Sequence, residues 1–247
     1  MRLQLFEFHD LPWCPPSLRD ALTDFLAFTL RLWRTYAPAA PLLRRAIWDT
    51  AAPRIVDLCA GAGGPWPWLG GDFGVPVVLT DLFPHRGSSV YHVPIDARAV
   101  PPGLRGFRTL FTSFHHFPPS EARAILADAV RSGQGIAVFE AARRRPLDLA
   151  LIALTWLGVL LATPFIRPFR WSRLFWTYLP PVLPLMGTFD GVVSCLRWYS
   201  PAELRALVRG FDEYEWEIGT VRDYHSPLHM TYLIGVPRRV ASPVHPR

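Results

Sequence analysis

An α/β fold built on a doubly wound, seven-stranded sheet is predicted by three features of this 247-residue chain. Short apolar runs alternate with helical or loop stretches between residues 53 and 141. The first of those runs enters a glycine turn, "RIVDLCAGAGGPW", at 54–66. Two strand-like runs follow a last helix near the end of the chain. The expected sheet is mostly parallel with an antiparallel last strand. It carries N-terminal helices and an apolar helical insertion after strand 5.

The elements follow in order. Residues 17–36 place Leu18, Leu22, Phe25, Leu26, Thr29, Leu32, Trp33 and Tyr36 on one helical face, with Ser17 as N-cap. Arg19, Asp20, Asp24 and Arg31 exclude a membrane span there. A second short helix covers "PLLRRAIWDT", 41–50. Strands are expected at 53–58, 75–81, 90–97, 108–114 and 135–141, with a helix over 119–132. Their apolar runs lack period-two alternation, which suits strands buried on both faces of a parallel sheet. Residues 200–210 read as a helix with Ser200 as N-cap, Pro201 in the first position and Gly210 at the end. Strands at 214–221 and 229–237 close the fold, and the tail 238–247 reads as frayed. The chain divides into N-terminal helices packing on the core (1–50), a cofactor-binding half (51–145), the apolar insertion (146–187), and a C-terminal helix with the final strand pair (188–240).

Composition narrows the chemistry. Half of the residues are hydrophobic, enough for one sizeable core. Cys14, Cys59 and Cys195 are far apart, so neither a disulfide framework nor a zinc site is expected, and a reducing cytoplasm is. The start lacks the cationic and apolar regions of a secretory signal. The net charge of +6 is carried without a lysine: all 26 basic residues are arginine. That excludes Schiff-base chemistry and a Walker lysine. A basic balance admits nucleic acid or an anionic membrane as partner and selects neither.

The glycine turn carries the functional signal. A dinucleotide fingerprint needs G-x-G-x-x-G, but Trp66 stands at the third glycine. "VDLCAGAG" instead resembles the first motif of the class I S-adenosylmethionine-dependent methyltransferases, with Gly61 and Gly63 matching its last two glycines and Cys59 in place of its first. Asp81, ending "VVLTD", matches the acid that takes the ribose hydroxyls in that family. Asp96, in "IDA", matches the acid offered to the adenine amine. "TSFHHFPP", with Ser113, His115 and His116, is similar to the fourth motif of its small-molecule enzymes. The resemblance implies a Rossmann-like fold and S-adenosyl-L-methionine as cofactor, held by Asp57, Gly61, Gly63, Asp81, Asp96 and Ser113. Carboxylates suit this role because they accept from paired hydroxyls and from an exocyclic amine.

Plain structural readings stand beside these. Asp57 can pin the loop, Asp96 can be a solvated loop acid, and Glu140 can pair with an arginine such as Arg143. An acceptor that must lose a proton needs a base, and His116, ahead of His115, is the expected one. Glu140, Arg197 and Tyr199 are expected at the acceptor. Asp190, Ser194, Arg197 and Tyr199 should lie under the insertion, with Arg197 holding an acidic group.

The insertion points to the acceptor class. Residues 149–166 are uncharged for 18 positions, with Arg143, Arg144 and Arg145 before them and Arg167, Arg170 and Arg173 after. Arginines on both flanks argue against a single crossing. They fit either a lid over an apolar pocket or a hairpin dipping into one leaflet. The expectation is a methyltransferase of small hydrophobic or lipid-like molecules, cytoplasmic and peripheral at the inner face of the membrane through 146–187. Scattered arginines and the lack of a binding module argue against nucleic acid. An RNA methyltransferase and a non-catalytic membrane-associated protein of the same fold are the alternatives.

Overall fold

The computed structural model describes residues 2–61, 63–69, 73–82, 92–141, 143–222 and 226–238. Helices α1 (Pro16–Leu32) and α2 (Ala39–Thr50) precede strands β1 (Ile55–Asp57), β2 (Val77–Asp81), β3 (His92–Pro94) and β4 (Phe107–Phe111). Helix α3 (Pro119–Arg131) leads to β5 (Ile136–Glu140). The insertion forms α4 (Pro146–Ala153), α5 (Thr155–Ala162), α6 (Trp171–Tyr178) and α7 (Val182–Arg197). Then come α8 (Pro201–Val208), β6 (Tyr214–Val221) and β7 (Met230–Pro237).

The strands lie in the order β3-β2-β1-β4-β5-β7-β6. β1 pairs in parallel with β2 and β4, β2 with β3, and β4 with β5. β7 runs antiparallel to both β5 and β6, so the sheet is mixed. Connections reverse direction between β1 and β4, and in open α/β sheets the crevice beyond the carboxyl ends at such a point is where ligands bind.

Alternate residues on each strand face opposite layers. Val56, Leu110, Val138 and Leu233 pack with Ile125 and Leu126 of α3 and Leu204 of α8. Ile55, Phe107, Phe139 and Ile234 pack on the other face against Leu43 and Ile47 of α2. A third cluster joins Leu18, Leu22 and Phe25 of α1 to Val159, Ile166, Leu183 and Met186. Helix α1 therefore packs on the insertion and helps to form a helical layer beside the sheet.

Several boundaries differ from the sequence reading. Helix α1 is capped at Pro15, not Ser17, whose hydroxyl instead accepts from Trp176 Nε1 at 3.1 Å. The expected edge of the insertion at 187 falls inside α7, which continues to Arg197. β4 stops at Phe111, and 114–116 form a 3₁₀ turn. Val90 and Tyr91 of the expected third strand, and the tail beyond Arg238, lie outside the described residues. The late helix has its capping box: Ser200 Oγ accepts from Glu203 N, and the Glu203 side chain accepts from Ser200 N.

Most of the arginines flanking the insertion are paired with carboxylates. Arg143 is buried against Asp148 at 3.1 Å. Arg144 pairs with Glu203. Arg170 and the buried Arg173 both pair with Asp24 of α1. Arg145 and Arg167 are exposed. Buried guanidinium groups need such partners: Arg170 and Arg173 tie the insertion to α1, Arg144 ties its start to α8, and Arg143 is held within the start of α4.

Candidate active site

The turn after β1 hangs from its neighbours. Leu58 N donates to Thr109 O, Ala60 N to Thr80 O, and Gly61 N to Asp81 Oδ2 at 2.9 Å. Asp81, at the end of β2, is thus fixed against the glycine turn. The backbone is left-handed at Cys59 (φ +56°), Gly61 (+54°) and Gly64 (+62°), and at +115° for Gly63. Cys59 adopts a conformation that favours glycine, which explains why the related motif carries glycine there. A Cβ at Gly61 would meet nothing within 4 Å, whereas one at Gly64 would lie 2.6 Å from Asp57 Oδ2. Among the described residues nothing crowds Gly61, whereas Gly64 is required by packing.

Asp57 serves the scaffold. It is buried, with Oδ1 accepting from Thr109 Oγ1 at 2.6 Å and Oδ2 from Trp66 Nε1 at 2.9 Å. Burial pushes its carboxyl up to about 7, against the pull of those two donors. Asp96 lies just past β3 in a fork of Arg98, with Nε 2.9 Å from Oδ1 and Nη2 2.7 Å from Oδ2. Those bonds hold its carboxyl below the usual range.

After β4 the chain turns through Thr112 (φ +44°) and Ser113, whose buried hydroxyl has no hydrogen-bond partner among the described residues. Next comes a buried pair. Glu140 Oε1 accepts from Phe114 N at 2.8 Å, and its Oε2 lies 2.7 Å from His115 Nδ1. Glu140 therefore pairs with His115, and Arg143 is engaged elsewhere. His115 Nδ1 is placed to donate to Glu140, and its Nε2, 3.9 Å from Glu7 Oε1, is buried with no hydrogen-bond partner among the described residues.

An N-terminal strap, residues 2–15, crosses this edge. Leu3 N donates to Leu196 O, and Arg2 Nη2 donates to His115 O and Phe117 O. Phe8 N and His9 N donate to Asp190. Arg197 Nη1 lies 3.1 Å from Glu7 and 2.9 Å from Asp10, and His116 Nδ1 lies 3.1 Å from Asp10. Burial alone would lower the His116 pKa, but the Asp10 hydrogen bond and the charges of Glu7 and Asp10 raise it to about 9. Tyr199 donates to Phe117 O at 2.8 Å, with the Arg2 guanidinium 4.2 Å above its ring. Asp190, Ser194, Arg197 and Tyr199 are thus covered by the strap, which sequence reasoning missed. The acids in "FEFHD" carry no spacing that announces partners nearly 190 residues away. Glu7, His115 and His116 offer three ligand atoms within 4.8 Å of one another, but Arg197 already supplies a cation beside Glu7.

The strand order β3-β2-β1-β4-β5-β7-β6, with a glycine turn tied to an acid at the end of β2, is a fold shared with solved methyltransferase structures. Among solved structures the chain is similar to the plantazolicin methyltransferase BpumL in complex with SAH, at 9% identity and a TM-score of 0.51 over 94% of this chain and 93% of that one. It is also similar to BpumL in complex with a monoazolic desmethylPZN analog and SAH, at 8% identity and a TM-score of 0.55 over 89% and 90%. No family model and no curated protein matches the sequence. At such identities the likeness establishes the fold.

Proposed function

We propose that this protein is an S-adenosylmethionine-dependent methyltransferase acting on a small hydrophobic or lipid-like acceptor. The observation that carries the reading is the Gly61–Asp81 contact at the carboxyl ends of β1 and β2, next to the switch point of the sheet. The residues fit the cofactor: no described residue crowds the Gly61 backbone, Asp81 ends β2, and Asp96 follows β3. Bound there, S-adenosylmethionine supplies a methyl group on a sulfonium leaving group. The chain then has to align an acceptor and exclude water. Asp81 takes the ribose hydroxyls, Asp96 faces the adenine amine from its Arg98 fork, and Asp57 shapes the turn. His115, oriented by Glu140, presents the lone pair that removes an acceptor proton. His116, charged at neutral pH beside Asp10, holds the strap and is the weaker candidate for the base.

The apolar acceptor and a membrane location rest on the insertion. Pro146–Phe165 is long and apolar enough to cross a bilayer, by length and composition, with mean hydropathy 1.8. Leu147, Ala150, Leu154, Leu157 and Leu161 recur every three or four residues and are all exposed. Exposed apolar surface on this scale marks a docking face. Peripheral attachment to the inner membrane leaflet would bring the site to lipophilic acceptors.

Calorimetry with S-adenosylmethionine tests the core of the proposal. Asp81→Ala removes two charge-assisted hydrogen bonds of about 1.5–3 kcal/mol each, so affinity should fall at least tenfold. Asp81→Asn keeps an acceptor for Gly61 N and checks that the turn itself survives. Unchanged affinity in both variants overturns the ribose assignment.

A further inference from the structure

Glu7 is a carboxylate buried in a set of anion-binding groups. It is 3% exposed. Its Oε1 accepts from Ser194 Oγ at 3.0 Å and lies 3.1 Å from Arg197 Nη1 and 3.9 Å from His115 Nε2. Its Oε2 lies 3.7 Å from His116 Nδ1. These groups come from α7 and from the turn after β4, whereas Glu7 comes from the strap, as does Asp10, which also meets Arg197 Nη1 at 2.9 Å and His116 Nδ1 at 3.1 Å. Move the strap aside, and the buried Arg197 guanidinium, the Ser194 hydroxyl and the His116 ring nitrogen converge on one point. Such a constellation suits a planar carboxylate with two oxygens. Next to it, Phe6, Phe8 and Phe189 form an aromatic seam between strap and α7, with ring centroids 5.0–5.5 Å apart.

We propose that Glu7 is an internal stand-in for the acceptor, and that the acceptor is a hydrophobic carboxylic acid whose carboxylate binds Arg197, Ser194 and His116 when the strap moves aside. The inference rests on the methyltransferase reading above and adds the polar group of its substrate. Phe189 of α7, uncovered when Phe6 and Phe8 leave with the strap, takes the apolar body. His115 Nε2, next to the carboxylate subsite, is then within reach of the bound molecule.

The test uses the full chain, with decanoate and decanol as probes in calorimetry. Glu7→Ala vacates the subsite and should bind decanoate at least tenfold more tightly than the wild type, with no gain for decanol. Adding Ser194→Ala should remove most of that gain. Should Glu7→Ala fail to fold, the isosteric Glu7→Gln loses the internal charge, and a threefold or greater gain specific to decanoate is expected. Equal decanoate affinity with and without the Glu7 carboxylate, or an equal gain for decanol, overturns the proposal. S-adenosylhomocysteine is titrated in parallel. Its failure to bind would sink the methyltransferase reading itself, whereas binding without a decanoate gain sinks only the present inference.

Discussion

His115 Nδ1 lies 2.7 Å from Glu140 Oε2, both side chains are buried, and the other imidazole nitrogen has no hydrogen-bond partner among the described residues. A carboxylate on one nitrogen fixes the tautomer and aims the lone pair of the other. The 3₁₀ turn at Phe114–His116 makes this pairing possible, because Glu140 also accepts from the Phe114 and His115 amides and so sets the ring's approach.

The first prediction concerns that pair. Glu140→Gln places an amide opposite Nδ1 and should drive His115 to the Nε2–H tautomer, seen directly by ¹⁵N NMR of the imidazole. Loss of a positioned base costs 10²–10⁴-fold in typical enzymes. Methyl transfer to a proton-bearing acceptor should fall by at least a hundredfold, while cofactor affinity stays within about twofold. Unchanged turnover with the tautomer switched would remove His115 from the chemistry.

The second prediction separates two glycines of one turn. Gly64→Ala forces a Cβ to 2.6 Å from Asp57 Oδ2 at φ +62°, so both clash and backbone strain act. It should destabilise the protein by about 2 kcal/mol or more. Gly61→Ala meets nothing within 4 Å and bears only the strain of its φ of +54°, about 1 kcal/mol. Its main effect should be weaker cofactor binding, since its Cβ enters the space beside Asp81. Thermal melts and calorimetry on the pair give opposite rankings for stability and affinity. Identical rankings would mean that the turn is purely structural.

The third prediction is a pH dependence of folding. His116 has its pKa raised from 6.5 to about 9 by Asp10 and Glu7. A raised folded pKa means that the folded state holds the proton more tightly than the unfolded chain. The stabilisation is complete below about pH 6.5 and is lost as pH rises through 9. Its size is on the order of 3 kcal/mol. Asp190 is pushed up to about 6 by burial and titrates below this window. Denaturant unfolding should show stability falling between pH 7 and 9 in the wild type, with a flatter profile in His116→Gln. Parallel profiles for the two proteins would show that the strap is not held by this charge.

The sequence was most readable where structure is local. The β1 run ends at its glycines, Asp81 ends β2, and Ser200 caps α8 through Glu203 three residues on, because each depends on near neighbours and on a period. Glu7 meeting Arg197, Asp24 meeting Arg173, and Arg2 over Tyr199 join residues far apart in the chain, with no spacing to betray them. The flanking arginines misled for a physical reason. A guanidinium beside an apolar run looks the same in sequence whether it faces headgroups or a buried carboxylate, and Asp24 and Asp148 decide the matter only once the helices are packed.

The last prediction is the membrane. Phe165 (69% exposed), Trp171 (78%) and Phe175 (52%) join the exposed leucine stripe of α4 and α5 as candidates for insertion. Trp176 is not among them, since it packs on the α1 cluster and donates to Ser17. Burying apolar area in a leaflet stabilises by about 25 cal/mol per Å². The exposed Arg145 and Arg167 add roughly 1 kcal/mol each on anionic lipid. With only these two arginines exposed around the insertion, apolar contact should dominate and salt should weaken binding only in part. Purified protein should float with anionic liposomes and less well with neutral ones. The triple variant Phe165→Ser, Trp171→Ser, Phe175→Ser should bind at least tenfold more weakly, with S-adenosylhomocysteine affinity unchanged. If the wild-type protein is monodisperse without detergent and ignores both kinds of liposome, the membrane proposal fails and the helical layer serves the site alone. A stable dimer that buries the leucine stripe would assign that face to a second copy of the chain instead.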